Sequence, residues 1–380
     1  MPCFAVGFMD KLLSAKLRNL SFLLLWVVVF IHGYNANIHF GDEMHPKPQA
    51  WLFFFEHFIS DGVCRVAVPL FFSISGYLAF QSLEENFDFQ WLIPTLKKKI
   101  KTLLIPYLSI SLLGILFVIL LQMIPFSRPF FNNYNLETTS LRHWISIWLW
   151  SPVPYQLWFV RFLILYFIFL PFIYTVVKYF KIAGLLFLFY SWYSFYFQEI
   201  THFTKIEYEG LFFFSLGSFC VIHKVPLKSN IKYRTWLLLI LLWIGWIAYR
   251  TNLLLHTYPN DVAVHSHLIG FTFVGLVLAW IGYDFYAERL NRWQWLQQNA
   301  GYSFGIFLFH EPILTIVKKL TIKGLGGADL SLFVSFFMAP VLGFLLALWF
   351  SKFLHRYAPA VYGFFTGNRR PSATVTAKQA

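Results

Sequence analysis

Apolar windows of membrane-crossing length recur from one end of the 380-residue chain to the other, and no polar block between them is long enough to fold separately. A helix needs about 20 mostly apolar residues to cross a bilayer core, where its backbone groups must be satisfied internally. Windows of that kind fall at residues 17 to 35, 65 to 82, 102 to 124, 157 to 177, 181 to 198, 209 to 223, 234 to 250, 266 to 286, 301 to 320 and 330 to 355. The expectation is an all-α, polytopic transmembrane bundle of about ten helices. Only 12% of residues are charged and 58% are hydrophobic, where soluble domains carry roughly a quarter charged. One integral-membrane domain is expected over residues 1–362, followed by a polar, disordered cytoplasmic tail over 363–380.

The net charge of +13 invites a nucleic-acid partner, but its distribution argues against one. Cytoplasmic loops of membrane proteins carry the excess of Lys and Arg. With the N-terminus inside, most of the 30 basic residues fall on inner segments, notably Lys11, Lys16 and Arg18, then Lys97, Lys98, Lys99 and Lys101, and later Lys352, Arg356, Arg369 and Arg370. Both termini are therefore expected in the cytoplasm, with the basic face drawn to anionic membrane lipid. No segment ending in a small-residue cleavage site precedes the first apolar run, so that run is read as a retained helix. Cys3, Cys64 and Cys220 make neither a disulfide framework nor a metal motif.

His32 closes the first apolar run, LSFLLLWVVVFIH. Ionisable groups at such depth are costly unless they face a bundle interior, and so they tend to mark chemistry or a pathway. Arg18 precedes His32 by fourteen positions, about 21 Å along a helix and within roughly 40° of the same face. Neutral imidazole suits base catalysis near pH 7. The plainer alternative is an interfacial histidine bonded to a carbonyl, and the sequence leaves the two open. An outer carboxylate, Asp42, Glu43, Glu56 or Asp61, could orient the ring.

Other candidates carry paired readings. Ser75, Gly76 and Tyr77 in VPLFFSISGYLAF are packing residues or the wall of a site. Arg65 binds an anionic group or snorkels to lipid phosphate. The lysines around Lys98 and Lys101 hold lipid headgroups or the phosphates of a nucleotide-bearing cofactor. His39, His45, His57, His256, His265 and His267 match no metal-ligand spacing, so no metal is expected. Aromatic belts explain most of the Phe, Trp and Tyr; Trp51, Trp144, Trp148 and Trp150 could instead stack on a glycan. Pro312 reads as a helix-interior kink.

In order, the His32 helix, VPLFFSISGYLAF, KKKIKTLLIPY, LWFVRFLILYFIFLP, EGLFFFSLGSFCV and NAGYSFGIFLFHEPIL resemble the acyltransferase 3 family of polytopic membrane acyltransferases, from about residue 16 to 355. The resemblance implies transfer of an acyl group, commonly acetyl from acetyl-coenzyme A, to a hydroxyl of an envelope or exported carbohydrate. It implies His32 as the catalytic base. Arg18, Lys98 and Lys101 would help to hold the donor, with Ser75, Gly76 and Tyr77 shaping the core beside it. Arg65, Trp158, Arg161 and Glu311 would face the acceptor, a carbohydrate or glycolipid. The family's first-helix arginine would fall at Ser21, one turn from Arg18. A bacterial inner (plasma) membrane location follows from the resemblance, and assembly into a homo-oligomer is left open. The competing class is a transporter or flippase for a glycolipid, lined by His32, Arg65 and Arg161.

Overall fold

A computed structural model describes residues 11–34, 39–40, 43–44, 49–83, 87–125, 127–128, 139–195, 207–256, 262–326 and 329–369. The first helix, α1 (Lys11–Ile31), is followed by a two-residue antiparallel pairing of β1 (His39–Phe40) with β2 (Glu43–Met44). Then come α2 (Ala50–His57), α3 (Ala67–Phe80), α4 (Phe89–Lys99), α5 (Ile105–Met123), α6 (Leu141–Leu149), α7 (Trp158–Ile168) and α8 (Leu170–Thr175). The chain continues through α9 (Lys181–Phe195), α10 (Tyr208–Ile222), α11 (Tyr233–His256), α12 (Val262–Arg292), α13 (Gln294–Asn299), α14 (Ser303–Gly324), α15 (Asp329–Tyr357) and α16 (Pro359–Thr366).

Among the described residues, eight helical stretches are long and apolar enough to cross a membrane, and two shorter apolar helices lie at Tyr155–Ile168 and Tyr208–Ile222. The polytopic helical bundle expected from the apolar windows is the fold found. One 25-residue stretch, Leu170–Ser194, counts as a single crossing by length alone. Its geometry is a reversal: Lys181 has φ 51°, and a side chain on Gly184 would strike Val176, which would lie far away in a straight helix. The sequence-based division at residues 177 to 181 falls at this turn.

α1 runs through the middle of the bundle, against α3, α12, α14 and α15. Lipid tails are as apolar as leucine, so helices in a bilayer are held less by the hydrophobic effect than by close packing and polar matches. The α11 and α12 pair shows both. The indole N–H groups of Trp236, Trp243 and Trp246 donate to Leu278 O, Phe271 O and His267 Nδ1 at 2.7–3.0 Å, and each ring lies over a glycine of α12. α3 and α10 pack more tightly still: a Cβ at Gly76 would collide with the Phe214 carbonyl, and one at Gly217 with the Ser73 carbonyl.

Prolines inside helices open further contacts. A proline lacks the N–H that would bond the carbonyl four residues earlier. Pro106 frees Thr102 O, which accepts from Arg369 at 3.3 Å. Pro312 frees Leu308 O, which accepts from the side-chain amide of Gln156 at 3.2 Å. In hydrocarbon these substitute bonds replace what water would otherwise supply.

The first of these contacts lies next to α16, the helix inside which the expected boundary at Tyr362 falls. This helix continues to Thr366, and Tyr362, Gly363 and Thr366 are buried. Gly367 follows with φ 65° and packs on the Thr102 backbone so closely that only glycine fits. The guanidinium of Arg369 then stacks on Phe304 at 3.6 Å. Burial, with Tyr302 adding to it, holds the Tyr362 phenol above its ordinary range, so it packs there as a neutral group. The apolar run PAVYGFF outweighs the polar residues beyond it. The rest of the expected tail, 370–380, lies outside the described residues.

Candidate functional site

α1 carries polar clusters at both ends. At the first, Lys16 pairs with Asp284 at 2.7 Å and lies over the Trp280 ring, and buried Asn19 donates to Tyr283 Oη and Asn291 Oδ1 at 3.0 and 2.8 Å. Exposed Arg18 donates to Gln297, whose amide in turn reaches Asn19 at 3.3 Å. Ser21 is turned back onto its own helix, donating to Leu17 O at 2.7 Å. Lys98, in the last turn of α4, and Lys101, in the helical join of α4 to α5, are exposed, apart from this cluster in the chain but near the docked Arg369.

At the other end, His32 follows the last turn of α1 and is half-buried. Its Nδ1 is hydrogen-bonded to the Tyr155 hydroxyl, the two rings standing edge to face with centroids 4.7 Å apart. The His310 ring lies nearly parallel to it at 5.4 Å. The structure therefore brings His32 together with two groups more than 120 residues away, one of which the sequence reading did not single out.

Local chemistry explains the placement of Tyr155. It sits in a single tight turn, Tyr155–Leu157, between α6 and α7. Pro154 rests on Gly114 of α5, where any larger residue would clash; Leu157 is fully buried; and Gln156 hooks the carbonyl that Pro312 frees. These anchors set the turn from which the phenol meets His32. His310 is oriented by the same stretch of α14, its Nδ1 donating to Ile306 O and Phe307 O at 3.2 and 2.9 Å. That fixes the neutral tautomer with a lone pair on Nε2, a buried atom without a hydrogen-bond partner in the described structure.

The expected carboxylate partners fall elsewhere or lie outside the described side chains. Asp61 bonds Arg250 at 2.6 Å and lies 3.8 Å from His57, whose other ring nitrogen meets Tyr34 Oη at 2.9 Å. Glu56 is fully buried in α2. The side chains of Asp42 and Glu43 are not among those described. A tyrosine occupies the position on the ring where a carboxylate was expected.

The remaining expected residues divide between the two readings. Gly76 is a crossing point between α3 and α10, and Ser75 and Tyr77 on either side of it are half-buried. Arg65 is ion-paired with Glu209. Trp158 belongs to an aromatic cluster with Phe72 and Phe162 at 6.2 and 6.1 Å. Arg161 donates to Trp150 O and lies over the Phe162 ring. Glu311, next to His310, accepts from Thr315 at 2.8 Å. Among the described residues no three His, Cys, Asp or Glu side chains gather in a way that could hold a metal ion.

The fold is that of a polytopic membrane protein, with a half-buried, tyrosine-bound histidine at the end of its central helix. The chain belongs to the acyltransferase 3 family, whose acyltransferase-domain profile matches residues 17–356. Among characterised proteins it is similar to the succinoglycan biosynthesis protein ExoH of Rhizobium meliloti (strain 1021). The two are 25% identical over 380 residues, covering 95% of this chain and 94% of the relative. No solved structure gives a significant match.

Proposed function

We propose that the protein is a membrane O-acyltransferase that moves an acyl group, acetyl in the first instance, from acyl-coenzyme A to a hydroxyl of an envelope or exported carbohydrate. The observation that carries this reading is His32, held at one end of the central helix by Tyr155 while Arg18 lies exposed toward the other. With both termini in the cytoplasm, the donor nucleotide meets Arg18, Lys98 and Lys101 at the inner face, and its acyl-bearing arm reaches into the bundle. The role of the related ExoH in succinoglycan biosynthesis supports a carbohydrate acceptor.

Chemically, Nε2 of His32 takes the proton of the attacking hydroxyl, the hydroxyl oxygen bonds to the thioester carbonyl carbon, and the carbon–sulfur bond breaks. The imidazolium returns its proton to the leaving thiolate. For Nε2 to serve as the base, Nδ1 must carry the hydrogen and donate it to the Tyr155 oxygen. Tyr155→Phe removes that acceptor while preserving the ring. It is expected to lower kcat roughly tenfold or more, with donor KM unchanged, in steady-state assays of purified protein; an unaltered kcat would remove Tyr155 from the mechanism.

Arg65 and Arg161 would line the path of a flippase, yet Glu209 and the Trp150 carbonyl already engage them, which favours the enzyme. The direct test incubates protein-containing membranes with isotopically labelled acyl-coenzyme A and analyses envelope glycans by mass spectrometry. Labelled acyl ester on carbohydrate is expected. Saccharide translocation with no acyl product from any donor would establish the transporter instead.

A further inference from the structure

Lys318 is a buried cation that the mechanism above leaves unused. It lies inside α14 and is only 9% exposed. A lysine near a helix end ordinarily extends toward headgroups. This one points inward. Its Nζ donates to the backbone carbonyls of His32, at 3.3 Å, and Tyr34, at 2.5 Å.

The need for such a donor follows from the end of α1. The last carbonyls of a helix have no partner within it, and away from water each requires one from elsewhere. Phe30 O accepts from Gly33 N and from Ser60 Oγ, both at 3.0 Å. Beyond that point the chain leaves the helix, and Lys318 takes the next exposed carbonyls, a cation at the negative end of the helix dipole. Glu311 on α14 and Glu56 on α2 are the acidic groups that act on it, with Lys319 as the opposing like charge. Pro340 and Phe336 of α15 press on Gly33, leaving no room for a side chain there. The segment that carries His32 is thus gripped by charge on one side and by shape on the other.

We propose that Lys318 is a positioning residue for the transfer reaction: its ammonium clamps the backbone of His32 and sets the imidazole against Tyr155. This inference rests on the functional reading above, because it assigns to the clamp the fixing of the base. A misplacement of about 1 Å in a reacting group can cost on the order of a hundredfold in rate. Lys318→Met keeps length and apolar bulk but removes the charge, and should lower kcat between about ten- and a hundredfold with donor KM within about twofold. Lys318→Arg, which retains a cation, should recover part of that loss.

The experiment measures two things on each full-length variant purified in detergent: the kinetics, and the rate at which diethyl pyrocarbonate modifies His32, mapped by mass spectrometry. Faster modification of His32 in Lys318→Met, at unchanged melting temperature and with partial rescue by arginine, supports the clamp. Wild-type modification and kcat in Lys318→Met overturn it, as does a kcat loss matched by general unfolding and not relieved by arginine. If wild-type protein transfers no acyl group while His32 reactivity still depends on Lys318, the functional reading fails and the clamp on His32 stands without its catalytic purpose.

Discussion

His32→Ala is expected to lower acyl transfer by roughly 10²–10⁴-fold, the usual contribution of a positioned general base, while protein level and membrane insertion remain at wild-type values. The substitution is conservative for the fold. His32 is only half-buried, and the contacts that end α1 are made by its backbone, through Lys318 and the turn at Gly33. Quantitative immunoblotting of membranes, paired with labelled-acyl incorporation into carbohydrate, separates lost chemistry from lost protein. The informative companion is His310→Ala. His310 spends its Nδ1 hydrogen on helix carbonyls and presents a lone pair beside His32. Activity that survives in the His32 variant but vanishes in the His310 variant would transfer the base to His310.

The largest loss of stability is expected from Gly76→Val. At this crossing the obstacle is the Phe214 backbone carbonyl, which cannot rotate aside as a long side chain could, and Gly217 makes the reciprocal approach to the Ser73 carbonyl. Ser218 Oγ also donates to Gly76 O at 3.2 Å, a bond that survives only at close range. Forcing the helices apart should cost about 3 kcal/mol and lower the melting temperature of the detergent-solubilised protein. Gly217→Val should do the same, and the double variant should lose less than the sum, since one separation relieves both clashes. Donor affinity offers the contrast: a Gly76 variant that melts normally but shows a raised donor KM would restore this residue to the donor site.

The helical architecture was legible because the bilayer imposes a length: a window of about 20 apolar residues has few alternatives. Even the break near Lys181, hidden from a length criterion, follows from treating 157 to 177 and 181 to 198 as separate windows. His32 was legible for the complementary reason, as a polar group where the environment penalises one. Its partners were not. Tyr155 and Lys318 meet it across separations of 123 and 286 residues, fixed by where Pro154 and Gln156 dock and how α14 lies against α1. A trace of each was present: a lysine about two turns beyond His310 and Glu311 on an apolar helix, and a tyrosine between prolines and LWFV. Gly76 illustrates the opposite limit, since a small residue in an apolar helix suits a ligand wall and a helix crossing equally until α10 is placed beside it.

A single rigid element, α1, joins the cluster around Arg18 to the imidazole of His32. Because no joint interrupts the thirteen residues between them, the helix is a molecular ruler. On the proposed function, a donor gripped at the Arg18 end would have to extend about 21 Å before its thioester met the base. Carriers with a truncated arm would then be rejected by reach rather than by contact, and the choice of donor would be written in the pitch of one helix.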